Sequence, residues 1–194
     1  SEMNIYGGSS TNGEASNNEV TISGGTFGSE SKPINIYGGH STYKVASNNE
    51  VTISGGAVYG IVAGGGAYQA VGIGGKATGN TVNISGDANL ENAELYGGCS
   101  YDAETYGFVA KYGGTGAPNT LNIGVDDELK SQLDTKGISV DVGAWNNKKV
   151  KSIAGFDVIN FNYINWSHEG NVVETDTLEL NNTKVGKVVI GSGN

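Results

Sequence analysis

The residues of this chain that could do chemistry are few and scattered. Two histidines, His40 in GGHSTY and His168 in NWSHEG, each lack a partner histidine at metal-ligand spacing. His40 reads most simply as a loop residue and His168, beside Glu169, as part of a turn. The single cysteine, Cys99, has no second cysteine to pair with. It reads either as a reactive or intermolecular thiol, or as a small residue in a Gly-rich corner. Asp126-Asp127 is a carboxylate pair or a helix cap. In CSYDAETYG, carboxylates Asp102 and Glu104 stand among Tyr101 and Tyr106, which suits a carbohydrate or cation site or a solvated loop. The calcium nonapeptide is not matched, because GGGAYQAVGIGG has no aspartate. The serines of SGG and GSS lack a nucleophile elbow. No catalytic residue, metal or cofactor is expected.

The elements that would position these residues come from a repeat. ASNNEVTISGG occurs at Ala15 and again at Ala46. Laying Asn4 to Gly25 over Asn35 to Gly56 leaves only four differences: Ser9/His40, Asn12/Tyr43, Gly13/Lys44 and Glu14/Val45. They cluster, as expected of a loop on one face of a stack. A third copy is ATGNTVNISGD from Ala77, and a fourth, NTLNIG from Asn119, follows after an insertion placed in Tyr101 to Gly116. In EVTISGG, Val20 and Ile22 alternate with Thr21 and Ser23, the period of a strand with one buried face. Gly-Gly ends both EVTIS and NIY, where the chain can turn sharply. Each unit of about 31 residues therefore holds two short strands, and stacking buries what neither strand can bury alone. VDDELKSQL, from Val125, is the one helix candidate, with Asp126 as N-cap.

In such a stack, equivalent residues lie one above the next. Asn18, Asn49 and Asn80 would form an amide ladder at a corner. Val20, Val51 and Val82 would form one interior column, and Ile22, Ile53 and Ile84 another. Tyr6 and Tyr37 would stack on the outside, Tyr96 would continue that column, and Tyr43 would stand at the varying corner. Aromatic rows on a rigid surface suit sugars or protein partners. They can equally serve only to cover Gly-rich strands.

Composition agrees. The chain has 33 glycines in 194 residues, two prolines, 16% charged residues and a net charge of −9. The acidic balance argues against nucleic acid, which needs a basic footprint. All 11 basic residues are lysines. The lack of arginine weakens a reading as an enzyme on anionic polymers. No stretch is apolar enough to span a membrane, so no membrane insertion is expected. The chain opens SEM, as a trimmed piece of something longer would. After Gly124 glycine thins out and short alternating stretches follow, including Ile138, Val140 and Val142. We read 1–194 as one β-solenoid, with regular repeats over 1–124 and degenerate units over 125–194. A small β-domain from about Lys130 is the alternative.

The NxxVxISGG and xIYGG units, followed by VKSIAGFDVINF from Val150 to Phe161, resemble passenger regions of bacterial autotransporter-type (type V secreted) surface adhesins. There, Gly-rich NTVNISGG repeats run into a V-x-x-I-x-x-F-D-x-I-N-F segment upstream of an outer-membrane barrel. The resemblance covers Asn4 to Phe161. It implies an all-β fold, a right-handed single-stranded parallel β-helix, and a place on the bacterial cell surface or in the secreted medium. The hand also follows from the general preference of parallel crossovers. The expected function is a non-enzymatic adhesin or structural passenger for cell–host or cell–cell contact. Its partners would be a host-surface or neighbouring-cell protein or glycan, with self-association also open. Candidate binding residues are Tyr6, Tyr37, Tyr43, Tyr96, Tyr101, Asp102 and Tyr106. The alternatives are a β-helix polysaccharide lyase or hydrolase, which needs a carboxylate groove, and an ice-binding face. For the last, Thr21 and Thr52 align but Asn83 breaks the row.

Overall fold

The structure, a computed structural model, describes residues 3–69, 75–165 and 172–191. His168 lies outside them. Among the described residues the fold is mostly β, with parallel sheets and one short helix. Each repeat unit places one strand in each of two large sheets. The first sheet runs Met3–Ser10, Ile34–Ser41, Gly60–Gln69, Leu90–Asp102, Lys148–Ala154, Val173–Leu178. The second runs Glu19–Phe27, Glu50–Val58, Thr81–Ile84, Thr120–Ile123, Val158–Asn165, Lys184–Gly191. A short third sheet, Ala15–Ser16, Val45–Ser47 and Lys76–Thr78, bridges the regular units.

Register follows the repeat. Val20 pairs with Val51, Val51 with Val82, and Val82 with Leu121. Ile22, Ile53, Ile84 and Ile123 follow in step. Val51, Ile53, Val82 and Ile84 are fully buried between the sheets, together with Ile36, Val62 and Leu95. Burying each such side chain contributes roughly 1.5–3 kcal/mol, so the paired columns hold the large sheets together.

The quoted repeat keeps two adjacent asparagines because they do different work. Asn17 and Asn48 sit in the left-handed region, at φ 57° and 54°, and Gly79 does the same in the third copy at φ 68°. Asparagine and glycine are the residues that tolerate it. The next residue bonds. Asn18 Nδ2 donates to Asn49 Oδ1 at 2.9 Å, Asn49 Nδ2 to Asn80 Oδ1 at 3.0 Å, and Asn80 Nδ2 to Asn119 Oδ1 at 3.3 Å. Each acceptor oxygen also takes the backbone N–H of the asparagine before it. Asp157 occupies the next place and takes the Asn119 N–H at 2.8 Å. The ladder is thus longer than the repeat alone indicates.

The insertion forms the strand Gly107–Lys111, which folds back antiparallel on Leu90–Asp102. The helix spans Asp127–Thr135, and Asp126 caps it by accepting the Leu129 N–H at 2.9 Å. Ile138 and Val140 are not in a strand, contrary to their alternation. They pack with Val125, Leu129 and Leu133 in a separate apolar cluster under the helix. Trp145 is fully buried in the main core, where its indole N–H donates to the Ala88 carbonyl at 3.2 Å. The strands Lys148–Ala154 and Val158–Asn165 extend the same two sheets as the regular repeats. No helix among the described residues is long and apolar enough to cross a membrane.

Candidate functional site

The first sheet carries an aromatic group. Tyr6 pairs in register with Tyr37, and their rings stack at 5.4 Å with 22° between planes. His40 lies 5.1 Å from the Tyr6 ring and 5.6 Å from the Tyr37 ring. It lies within the strand Ile34–Ser41 rather than in a loop. Burial lowers its pKa below the ordinary histidine value, because a half-buried imidazolium loses hydration.

The sequence places both tyrosines outside, but Tyr37 is only 4% exposed. Alternation gives the face of a side chain, not its cover. Here Tyr6 and His40 cover the ring, which packs with Ile61, Ala63 and Cys99. Of Tyr6, Tyr37 and Tyr43, Tyr6 at 38% and Tyr43 at 45% exposed are open to a partner.

Tyr96 does not continue the stack, because Ala63 stands between it and Tyr37 in register. It packs half-buried against the Cys99 cluster. Burial, helped by Glu94, Cys99 and Glu179, pushes its hydroxyl up to about 12.

A second aromatic group lies farther along the sheet. Tyr68 and Tyr101 stack at 6.0 Å and 15°, and Phe108 meets Tyr101 edge-on at 5.5 Å. Sequence reading missed Tyr68, whose only signal is its place beyond a Gly-Gly aligned with Gly38-Gly39. Asp102 accepts from the Glu104 backbone N–H and from the Thr105 hydroxyl, both at 2.9 Å. Those bonds, led by the Glu104 N–H, hold its carboxyl below the usual range. Asp102 therefore fixes the turn that presents Tyr106, which is 82% exposed.

A polar cleft of about 430 Å³ lies between the helix and the second sheet. Glu50, Asp126, Glu128, Asn122, Asn160 and Lys187 help to line it. Its carboxylates are paired with lysines. Glu50 meets Lys136 at 2.9 Å, while Asp126 and Glu128 meet Lys187 at 2.5 and 2.6 Å. Hydrogen bonds from Lys187 to Asp126 and then Glu128 raise its pKa. The other Glu50 oxygen, Oε1, is buried with no hydrogen-bond partner.

Asn122, Asn160 and Asn162 of the cleft wall belong to a second amide row. Asn83 donates to Thr52 at 2.9 Å, Asn122 to Asn83 at 2.7 Å, and both Asn160 and Asn162 to Asn122 at 3.0 Å. Thr52 and Asn83 are buried, so the threonine row considered for ice is covered in its second member.

Cys99 is fully buried within a strand, not at a corner, and burial pushes its thiol up to about 12. Asp157 borders an open cavity of about 840 Å³, but its carboxylate is engaged by the backbone N–H groups of Gly113, Gly114 and Asn119. No group of three or more His, Cys, Asp or Glu among the described residues is placed to hold a metal ion. No protein-family model, curated protein or solved structure matches the chain.

Proposed function

We propose that this chain is a non-enzymatic adhesin or structural passenger, surface-exposed on a bacterium or secreted. In this reading it is a right-handed single-stranded parallel β-helix with units of about 31 residues, degenerate toward the C-terminus. The parallel, in-register strands support the helix, and the preference of parallel crossovers supports its hand. The resemblance of Asn4 to Phe161 to autotransporter passengers supports the export route and an outer-membrane anchor.

The observation that carries the binding role is the group formed by Tyr6, Tyr37 and His40. Its rings are held by a paired sheet, so a partner meets a surface that needs little ordering. Tyr6 and Tyr43 supply the exposed faces for a host-surface or neighbouring-cell glycan or protein. The test is a glycan array and a cell-adhesion assay on the chain and on the Tyr6→Ser, Tyr43→Ser double variant. Tyr6 also covers Tyr37, so the double variant is assayed below its own melting temperature, where adhesion should fall while the chain stays folded. Adhesion that persists at full strength would discard this surface.

The second reading, a polysaccharide lyase or hydrolase, is favoured by the carboxylates of the helix-side cleft. Their lysine pairing weighs against it, because general acid–base work needs a carboxyl free to exchange its proton with substrate. Release of sugar ends from a polysaccharide panel, abolished by Glu50→Gln, would establish the enzyme instead.

A further inference from the structure

We propose that the groove lined by the Ser29–Lys32 turn and by Phe108 of the insertion strand binds a neutral pyranose, one ring of a glycan. This adds a site to the surface formed by Tyr6 and Tyr43 and does not depend on it.

The groove has a volume of about 360 Å³, at the small end of ligand pockets. Its lining comes from distant parts of the chain, Glu30, Asn35, Tyr59, Glu94, Phe108 and Lys151 among them. The turn is closed by two reciprocal bonds, Ser29 N–H to the Lys32 carbonyl at 3.0 Å and Lys32 N–H to the Ser29 carbonyl at 3.1 Å. A ligand therefore meets a wall already ordered.

Asn35 carries the argument. It lines the groove yet is only 5% exposed. Its Oδ1 accepts the Ile61 N–H at 3.0 Å, which fixes the amide and leaves Nδ2 as the donor. Among the described residues Nδ2 has no hydrogen-bond partner. Native structures pair nearly all such groups, so a fixed amide donor in a groove wall marks a place for an acceptor from outside.

The other lining groups ask for the opposite. Glu94 pairs in register with Ile61, and Lys151 holds its Oε1 at 3.0 Å, leaving the second oxygen to accept. Glu30 is exposed in the turn and offers a further acceptor. The half-buried Phe108 and Tyr59 supply apolar ring surface. The ligand must accept at Asn35, donate at the carboxylates and pack an apolar face on a ring. A pyranose does all three, since each hydroxyl both donates and accepts and the ring carries a C–H face. Two carboxylates against one ammonium make the groove acidic, which disfavours a uronic or sialic acid.

The test is saturation-transfer NMR and calorimetric titration of the full chain with methyl glucoside, methyl galactoside, methyl mannoside and methyl glucuronide. At least one neutral glycoside should bind, and the glucuronide should bind at least about tenfold more weakly than the best of them. Phe108→Leu keeps apolar volume but removes the ring, and should weaken binding about threefold or more. Glu30→Ala removes an exposed acceptor and should weaken it by a similar factor, about threefold. Circular dichroism confirms that each variant folds, and Glu30→Ala at its exposed turn keeps the test decisive should Phe108→Leu not fold. The Tyr6→Ser, Tyr43→Ser double variant should bind the glycoside as the wild type does, so failure of one surface is seen apart from failure of the other. Four results would overturn the proposal: no neutral glycoside bound, glucuronide bound as tightly as the neutral sugars, affinity unchanged in the folded groove variants, or binding lost only in the tyrosine double variant.

Discussion

The side-chain amide of Asn49 lies where a β-carbon on Gly39 would have to be, 2.5 Å from that position. Asn18 stands in the same relation to Gly8, and Asn80 to Gly65. The Gly-Gly of the first sheet and the ladder asparagine of each unit are thus two halves of one joint. The amide ladder fits at the corner only because the facing strand has no side chain there.

The neighbouring glycine makes this measurable. A β-carbon on Gly38 would meet the Gly64 carbonyl oxygen at 2.5 Å and the Glu50 nitrogen at 3.2 Å, both backbone atoms that cannot swing away. Gly38→Ala should cost about 1–3 kcal/mol or more in denaturant unfolding. Gly24 faces open space within 4 Å, and Gly24→Ala should stay within about 0.5 kcal/mol. Equal midpoints for the two variants would contradict the joint.

The ladder itself can be cut at Asn49. Its Nδ2 donates to the Ala15 carbonyl at 2.9 Å and to Asn80, while its Oδ1 accepts from Asn18. Asn49→Ala strands these buried partners, at a cost of about 1–3 kcal/mol for each group left unsatisfied. Asn49→Asp should be worse, because it buries a charge and points an acceptor at two acceptors. An aspartate variant more stable than the alanine variant would refute the donor assignment.

His40 gives a pH dependence whose sign is fixed. Its folded pKa lies below the ordinary 6.5, so the unfolded chain takes up the proton first. The histidine's contribution is fully present above about pH 6.5 and is lost as pH falls from there through the lowered folded value. The melting temperature should therefore drop on that acid limb, and His40→Gln should flatten this part of the profile. An identical slope in the variant would mean that other groups carry the change.

Cys99 should be inert in the folded protein. With no exposed surface and a thiol raised to about 12, it offers almost no thiolate at pH 8. A thiol reagent should label it only at the rate of unfolding, and at full rate in denaturant. Rapid labelling of the native chain would show that the packing of Cys99 against Tyr37, Ile61 and Ala63 opens readily.

The repeat period was enough to determine the stacked columns. Val20, Val51 and Val82 occupy the same place in successive units, so whatever local geometry one adopts the others share, and like residues pair. The asparagine ladder and the Asp126 cap follow from the same local logic. Tertiary structure decided what lies over each face. Alternation set Tyr37 outside, yet Tyr6 and His40 bury it. Ile138 and Val140 alternate like a strand, yet the helix recruits them into its own cluster. Asp157 joins the amide row, and the helix comes to face Glu50, Asn122 and Asn160 across a cleft, far along the chain from Glu50. Periodicity reports the direction a side chain takes from its own backbone. The groups that cover it, pair with it or neutralise it come from distant positions, and only the folded arrangement brings those together.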